Sequence, residues 1–306
     1  FVTPAPFKQE IEAPTIKRDA LLSRARSWPS LVATHELVHA AQAEVDPGWG
    51  VGRVLRWFAP DAARALNLTA PLGLTEGIAV YRESRADDGG GRLNQSLFRM
   101  KMRAAMLSGD PWEFTQMMAP PSFTQPFNRH YIGGAHAYEA LVEREDGLGS
   151  EFFRDVTSNQ NRLPLLGHGL WLWIDTGETP AEHGNDLREA LRDTFQAEVD
   201  ALGALTEAHT VSGRVGRNHR RPYWIDDETL AAYVFGYATR PGFYRIDATT
   251  GRKTPIRIQR ITEDYSYSLS PDTTALLAGR YVPDPFVETQ SIAELERVDL
   301  QTGAAR

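Results

Sequence analysis

The sequence predicts a multi-domain α+β protein, with a mainly helical region to about residue 210 and a β-rich tail. Three observations carry this. Apolar residues recur every three to four positions before residue 210, β-rich runs bounded by Asp, Thr, Gly and Pro replace them beyond Val211, and the tail repeats itself. A chain of 306 residues also suits two domains of about 100–200 residues each.

Composition limits the class of function. Apolar residues make up 42% and charged residues 24%, a balance that excludes a disordered or fibrous chain. Lys and Arg total 33 against 40 for Asp and Glu, and the net charge of −7 argues against nucleic acid as a partner. There is no cysteine, so any metal must be held by His, Asp or Glu. The best apolar run, 163–174, is interrupted by Pro164 and His168 and falls short of the roughly 18–20 residues of a membrane helix. No membrane span is expected.

The elements follow in order. Leu31, Thr34, Leu37, Val38 and Ala41 fall at helical spacing, predicting a helix from Ser30 to Val45 that stops before Pro47-Gly48. A second helix is expected from Leu72 to Ala86, ending at Asp87-Asp88-Gly89-Gly90-Gly91, which reads as a turn and lacks the Lys of a phosphate loop. Further helices are expected over 93–107, 131–145 and 187–205. The domain boundary is placed near residue 212, giving regions 1–212 and 213–306.

In the tail, Tyr223–Phe235 followed by Tyr244–Gly251 resembles Tyr267–Gly279 followed by Glu296–Gly303, so Asp247 and Gly251 correspond to Asp299 and Gly303. The offset of about 45 to 52 residues matches the period of four-stranded propeller blades. Two blades do not close a propeller. With Phe1 rather than Met at the start, the chain is expected to be a fragment of a longer protein.

The strongest chemical signal is His35-Glu36-Leu37-Val38-His39. Positions i and i+4 share one helix face, so both imidazoles can reach one cation while Glu36 reaches a water beside it. A catalytic zinc site uses three protein ligands and leaves a position open. The best third donor is Glu76, in Leu74-Thr75-Glu76-Gly77-Ile78-Ala79, where Gly77 and Ala79 are expected to permit close packing against the first helix.

These residues resemble the gluzincins, especially peptidase MA-like proteins and relatives of aminopeptidase N, in which the Glu before that Gly is the third ligand. Tyr131-Ile132-Gly133-Gly134-Ala135 is similar to their Tyr-x-x-Gly-Ala run, whose tyrosine stabilises the tetrahedral intermediate. The resemblance covers roughly residues 30–205 and implies zinc-dependent peptide-bond hydrolysis. His35, His39 and Glu76 would be the zinc ligands, Glu36 the general base and Tyr131 the oxyanion donor. Glu83, two turns beyond Glu76, is expected to hold a ligating imidazole, and His130 and His136 are reserve oxyanion donors.

The family's upstream Gly-x-Met-Glu-Asn run for a free amino terminus is absent, and Glu10 and Glu12 read as solvated surface. MA-like domains also occur fused to TolB-like propellers, which implies a bacterial, extracytoplasmic setting and a protein partner on the propeller. A noncatalytic scaffold with a vestigial zinc site is the alternative, and zinc-dependent hydrolysis of a non-peptide substrate also stays open. His168, His183, His209 and His219 read as loop or surface residues. Arg214, Arg217, Arg220 and Arg221 read as a solvated linker, and Trp171 and Trp173 as packing residues.

Overall fold

The computed structural model describes residues 2–5, 8–11, 28–86, 90–119, 128–143, 151–164, 167–204, 206–213, 216–262, 266–287 and 291–306. The chain is mixed α+β, and it divides into a helical unit that ends at Ala204 and a β unit that runs from Leu205 to Arg306. Val211 packs against the cluster of Ala232, Val234, Tyr244 and Ile246 in the β unit.

The helical unit opens with an antiparallel hairpin, β1 (Val2–Ala5) and β2 (Lys8–Ile11). Among the described residues there follow α1 (Trp28–Glu44), α2 (Val51–Phe58), α3 (Pro60–Asn67), α4 (Leu72–Ala86) and α5 (Ser96–Met106). Then come α6 (Phe114–Met118), α7 (Arg129–Glu143), α8 (Glu151–Arg162), α9 (Gly167–Thr176) and α10 (Pro180–Ala201). No described helix is long and apolar enough to cross a membrane.

Helix α4 has the bounds the sequence predicts, and α1, α5 and α7 lie within three residues of theirs. Helix α10 starts seven residues before Leu187, because Thr179 accepts from the Glu182 N–H while Glu182 accepts from the Thr179 N–H, with Pro180 as first helical residue. The short helices α2, α3, α6, α8 and α9 are unpredicted. The stripe that α8 buries is polar, Thr157 to Asn161, and Asn161 Nδ2 donates to the Ala63 carbonyl at 2.9 Å, so hydropathy alone does not reveal it.

The contact that positions the centre is between α4 and α7. A Cβ on Gly134 would lie 1.9 Å from the Gly73 carbonyl oxygen, and one on Gly77 would lie 2.4 Å from the Gly134 carbonyl carbon. Only glycine allows these two backbones to touch. Gly77 therefore serves the packing of α4 on α7 and not, as expected, on the first helix. Around this seam lie Phe98, Met102, Met106, Met117, Ile132 and Phe195, each fully buried.

His136 belongs to this core and not to the site. It is 1% exposed, its Nδ1–H donates to the Ile132 carbonyl at 2.8 Å, and its ring stacks on Phe98 with centroids 5.7 Å apart. His183 is also buried, with Nε2 2.7 Å from Thr176 Oγ1, so it is not the surface residue expected.

The β unit holds a four-stranded antiparallel sheet and a three-stranded one. The first is β3 (Arg217–Trp224), β4 (Thr229–Gly236), β5 (Thr239–Asp247) and β6 (Lys253–Ile258). The second is β7 (Tyr267–Leu269), β8 (Ala275–Pro283) and β9 (Ser291–Asp299). The repeat is visible in hydrogen bonds. Asp247 Oδ1 accepts from Thr249 and Thr250 N–H, and Asp299 Oδ1 accepts from Gln301 and Thr302 N–H. Gly251 and Gly303 close both turns with φ of 66° and 69°.

The two sheets share a core of Tyr233, Phe243, Tyr267, Leu276 and Val298, in which Tyr267 Oη accepts from the Tyr233 N–H at 3.0 Å. No closed propeller forms among the described residues. Arg217, Arg220 and Arg221 are strand residues rather than a linker, with the Arg220 guanidinium over Phe235, because this segment pairs with β4; Arg214 lies outside the described residues.

Two outcomes follow. Gly134→Ala should destabilise the protein by about 1–3 kcal/mol in denaturant unfolding, because the added methyl has no space between α4 and α7. Burial lowers the His136 pKa from 6.5 to about 4, so the native ring stays neutral while the unfolded one protonates. Its stabilisation is full above pH 6.5 and declines toward pH 4, by about 3 kcal/mol in all, and His136→Met should flatten that part of the stability–pH curve.

Candidate metal centre

Two helices meet to make the centre. His35 and His39 stand one turn apart on α1, and Glu76 comes from the first half of α4. Glu76 Oε2 lies 3.1 Å from His35 Nε2 and 3.3 Å from His39 Nε2, and the two Nε2 atoms are 3.2 Å apart. Donors about 2.0–2.2 Å from one tetrahedral zinc lie about 3.3–3.5 Å from each other, so this triangle is close to ligand spacing. Among the described residues it is the one group of three or more His, Asp or Glu side chains placed to hold a metal ion.

The surroundings suit a cation. His39 Nδ1–H donates to Gln42 Oε1 at 2.7 Å, which directs the Nε2 lone pair toward the triangle. Gln42 Nε2 in turn donates to the Thr75 carbonyl at 3.0 Å and so ties α1 to the residue before Glu76. His35 Nδ1 faces Glu83 Oε2 at 3.0 Å and Arg92 Nη2 at 2.8 Å. The tautomer that donates from Nδ1 to Glu83 is the one that frees Nε2 as a metal ligand. In these tautomers the two Nε2 lone pairs and the Glu76 carboxylate can share one cation in place of the protons that otherwise link them. The residues fit a divalent metal.

The electrostatics agree. Burial would raise the Glu76 pKa, but hydrogen bonds with His35 and His39 hold its carboxyl far below the usual range. Burial would lower that of His39, and the hydrogen bond and charge of Glu76 raise it instead. Glu83, 2% exposed, is likewise opposed by burial and kept ionised by the Arg92 guanidinium. Glu83 thus stands where the sequence places it.

Tyr131 and the charge of Glu36 both bear on this group. The charge of Glu36 acts on both His39 and Tyr131, and the Tyr131 ring is stacked 6.4 Å from that of His35. Tyr131 reaches Glu76 because α7 starts beside the Gly134 seam. Burial, then the charge of Glu76, push its phenol well above the ordinary value, so it remains a donor. His130, 9% exposed, sits against Tyr131 with ring centroids 4.6 Å apart, and burial lowers its pKa. Glu10 is in β2, and Glu12 lies outside the described residues.

Sequence reasoning missed Gln42 and Arg92. Gln42 carries a signal, three positions after His39 and on the same helix side; Arg92 carries none, lying 57 positions from His35. No family model, curated protein or solved structure matches the chain.

The triangle makes a direct prediction. The purified chain should bind one divalent metal ion per molecule, and His39→Ala or Glu76→Ala should weaken binding by more than the roughly 10- to 100-fold of a residue that only orients a ligand. Titration against a chromogenic chelator measures this, and equal affinity in the variants would exclude the ligand set.

Proposed function

We propose that the chain is a zinc metallopeptidase of gluzincin type that hydrolyses peptide bonds, with a β unit that supplies two propeller blades. The observation that carries the reading is the triangle of His35, His39 and Glu76, with Tyr131 within reach of Glu76 and the charge of Glu36 acting on His39 and Tyr131. Two imidazoles and one carboxylate form a donor set of catalytic zinc, with a position left open. When bound there, zinc supplies Lewis acidity and lowers the pKa of water toward about 7.

The chain's own residues then have defined tasks. Glu36 takes a proton from the attacking water as the water oxygen bonds to the scissile carbonyl carbon, and gives it to the amine nitrogen as the C–N bond breaks. Tyr131 donates its O–H to the oxygen on which negative charge develops. Its raised pKa keeps that proton in place at neutral pH. Gln42 and Glu83 fix the two imidazole rings, so no reorientation is needed as charge develops. An extracytoplasmic bacterial setting and a protein partner on the blades belong to the same proposal.

Hydrolysis of casein or a mixed peptide substrate should vanish with chelator and return with Zn2+. Such reversal is what a zinc-binding scaffold lacks. Glu36→Gln should retain zinc and lower turnover by about 10^2–10^4-fold, and Tyr131→Phe by about 10^2–10^3-fold. Unchanged turnover in Glu36→Gln, with metal content equal, would remove Glu36 from its role.

A further inference from the structure

We infer that Arg92 is a positioning residue of this centre, delivered to it by the left-handed Gly91 before it; the inference rests on the metallopeptidase reading. Gly91 has φ 74°, and a Cβ on it would lie 2.3 Å from Ser84 Cα, so only glycine lets the chain double back against the end of α4. Three bonds fix the return: Leu93 N–H donates to Ser84 Oγ at 3.1 Å, Asn94 Nδ2 to the Ser84 carbonyl at 2.8 Å, and Arg92 N–H to Glu83 Oε1 at 3.2 Å. Residue 92 is thereby aimed inward, and it is only 7% exposed.

The guanidinium then does two things at once. Its Nε and Nη2 donate to Glu83 Oε1 and Oε2 at 2.7 and 2.9 Å, a fork that holds the carboxylate facing His35 Nδ1. Its plane covers the Tyr131 ring, 5.0 Å from the centroid. One buried cation therefore sets the carboxylate behind the first histidine and the seat of the oxyanion donor. It also balances the charge of Glu83, so that carboxylate stays directed at the imidazole rather than toward other donors. Lysine keeps the charge, but it lacks the planar fork and the flat face for the ring.

Arg92→Lys and Arg92→Met are compared with wild type and with Leu191→Ala, a core variant on α10 that serves as a control for general destabilisation. Zinc affinity is measured by chelator competition, the visible spectrum is recorded with Co2+ in place of zinc, and kcat and KM are measured separately. Arg92→Lys should bind zinc about 10- to 100-fold more weakly, shift the cobalt bands, and lower kcat with KM little changed. Leu191→Ala should melt earlier yet keep its zinc affinity within about twofold. Wild-type affinity and an unchanged cobalt spectrum in both Arg92 variants would overturn the inference, as would an equal loss in Leu191→Ala. Loss of the fold in both Arg92 variants would make Arg92 merely structural and overturn it too. If wild type binds zinc but cleaves no peptide, the peptidase reading alone fails and the affinities still decide the role of Arg92; if wild type binds no zinc, both fall.

Discussion

The centre depends on two helix backbones touching. Gly73 and Gly77 of α4 meet Gly134 of α7 at distances no Cβ would allow, and Met117 of α6 closes on Gly73 and Gly133 from the side. The helices gain dispersion contacts that side chains would otherwise prevent. More to the point, the seam fixes the register of the two helices. Glu76 precedes Gly77 and Tyr131 precedes Gly134 by three residues, so one packing event brings a carboxylate from α4 and a phenol from α7 to the histidines of α1.

A buried electrostatic chain then holds the pieces still. It runs Arg92, Glu83, His35, Glu76, His39 and Gln42, each linked to the next through hydrogen-bonding atoms. Burying any one of these charges alone would cost several kcal/mol, and the neighbours offset that cost only while the geometry lasts. Such networks lose stability and function together when one member is removed. The far end of α1 is secured separately. Asn67 Nδ2 donates to the carbonyls of Ala43 and Val45, and Arg56 donates to those of Glu44 and Val45, satisfying helix-end groups that have no partner within the helix.

Much of this was legible in the sequence, for local reasons. His35 and His39 needed only the helical repeat, and the helix over Leu72–Ala86 was bounded by Pro71 and an Asp-Gly cluster. The duplicated Asp-x-x-x-Gly turns of the tail became two turns with the same hydrogen bonds because an Asp side chain accepting from nearby N–H groups is a local device. What depended on distant contacts was not legible. The partner of Gly77, the inward course of Arg92 and the burial of His136 each rest on which helix arrives opposite, a choice that residue spacing within one helix does not encode. Helix α8, with its buried polar stripe from Thr157 to Asn161, inverts the pattern that periodicity reads.

One metal ion is expected between the two histidines of α1 and the glutamate of α4. A crystal of the zinc-soaked protein, with anomalous diffraction recorded on both sides of the zinc absorption edge, tests it without reference to activity. A single strong zinc peak is expected about 2.0–2.2 Å from His35 Nε2, His39 Nε2 and a carboxylate oxygen of Glu76. A zinc peak coordinated by other side chains, or no peak at this triangle under zinc excess, would contradict it.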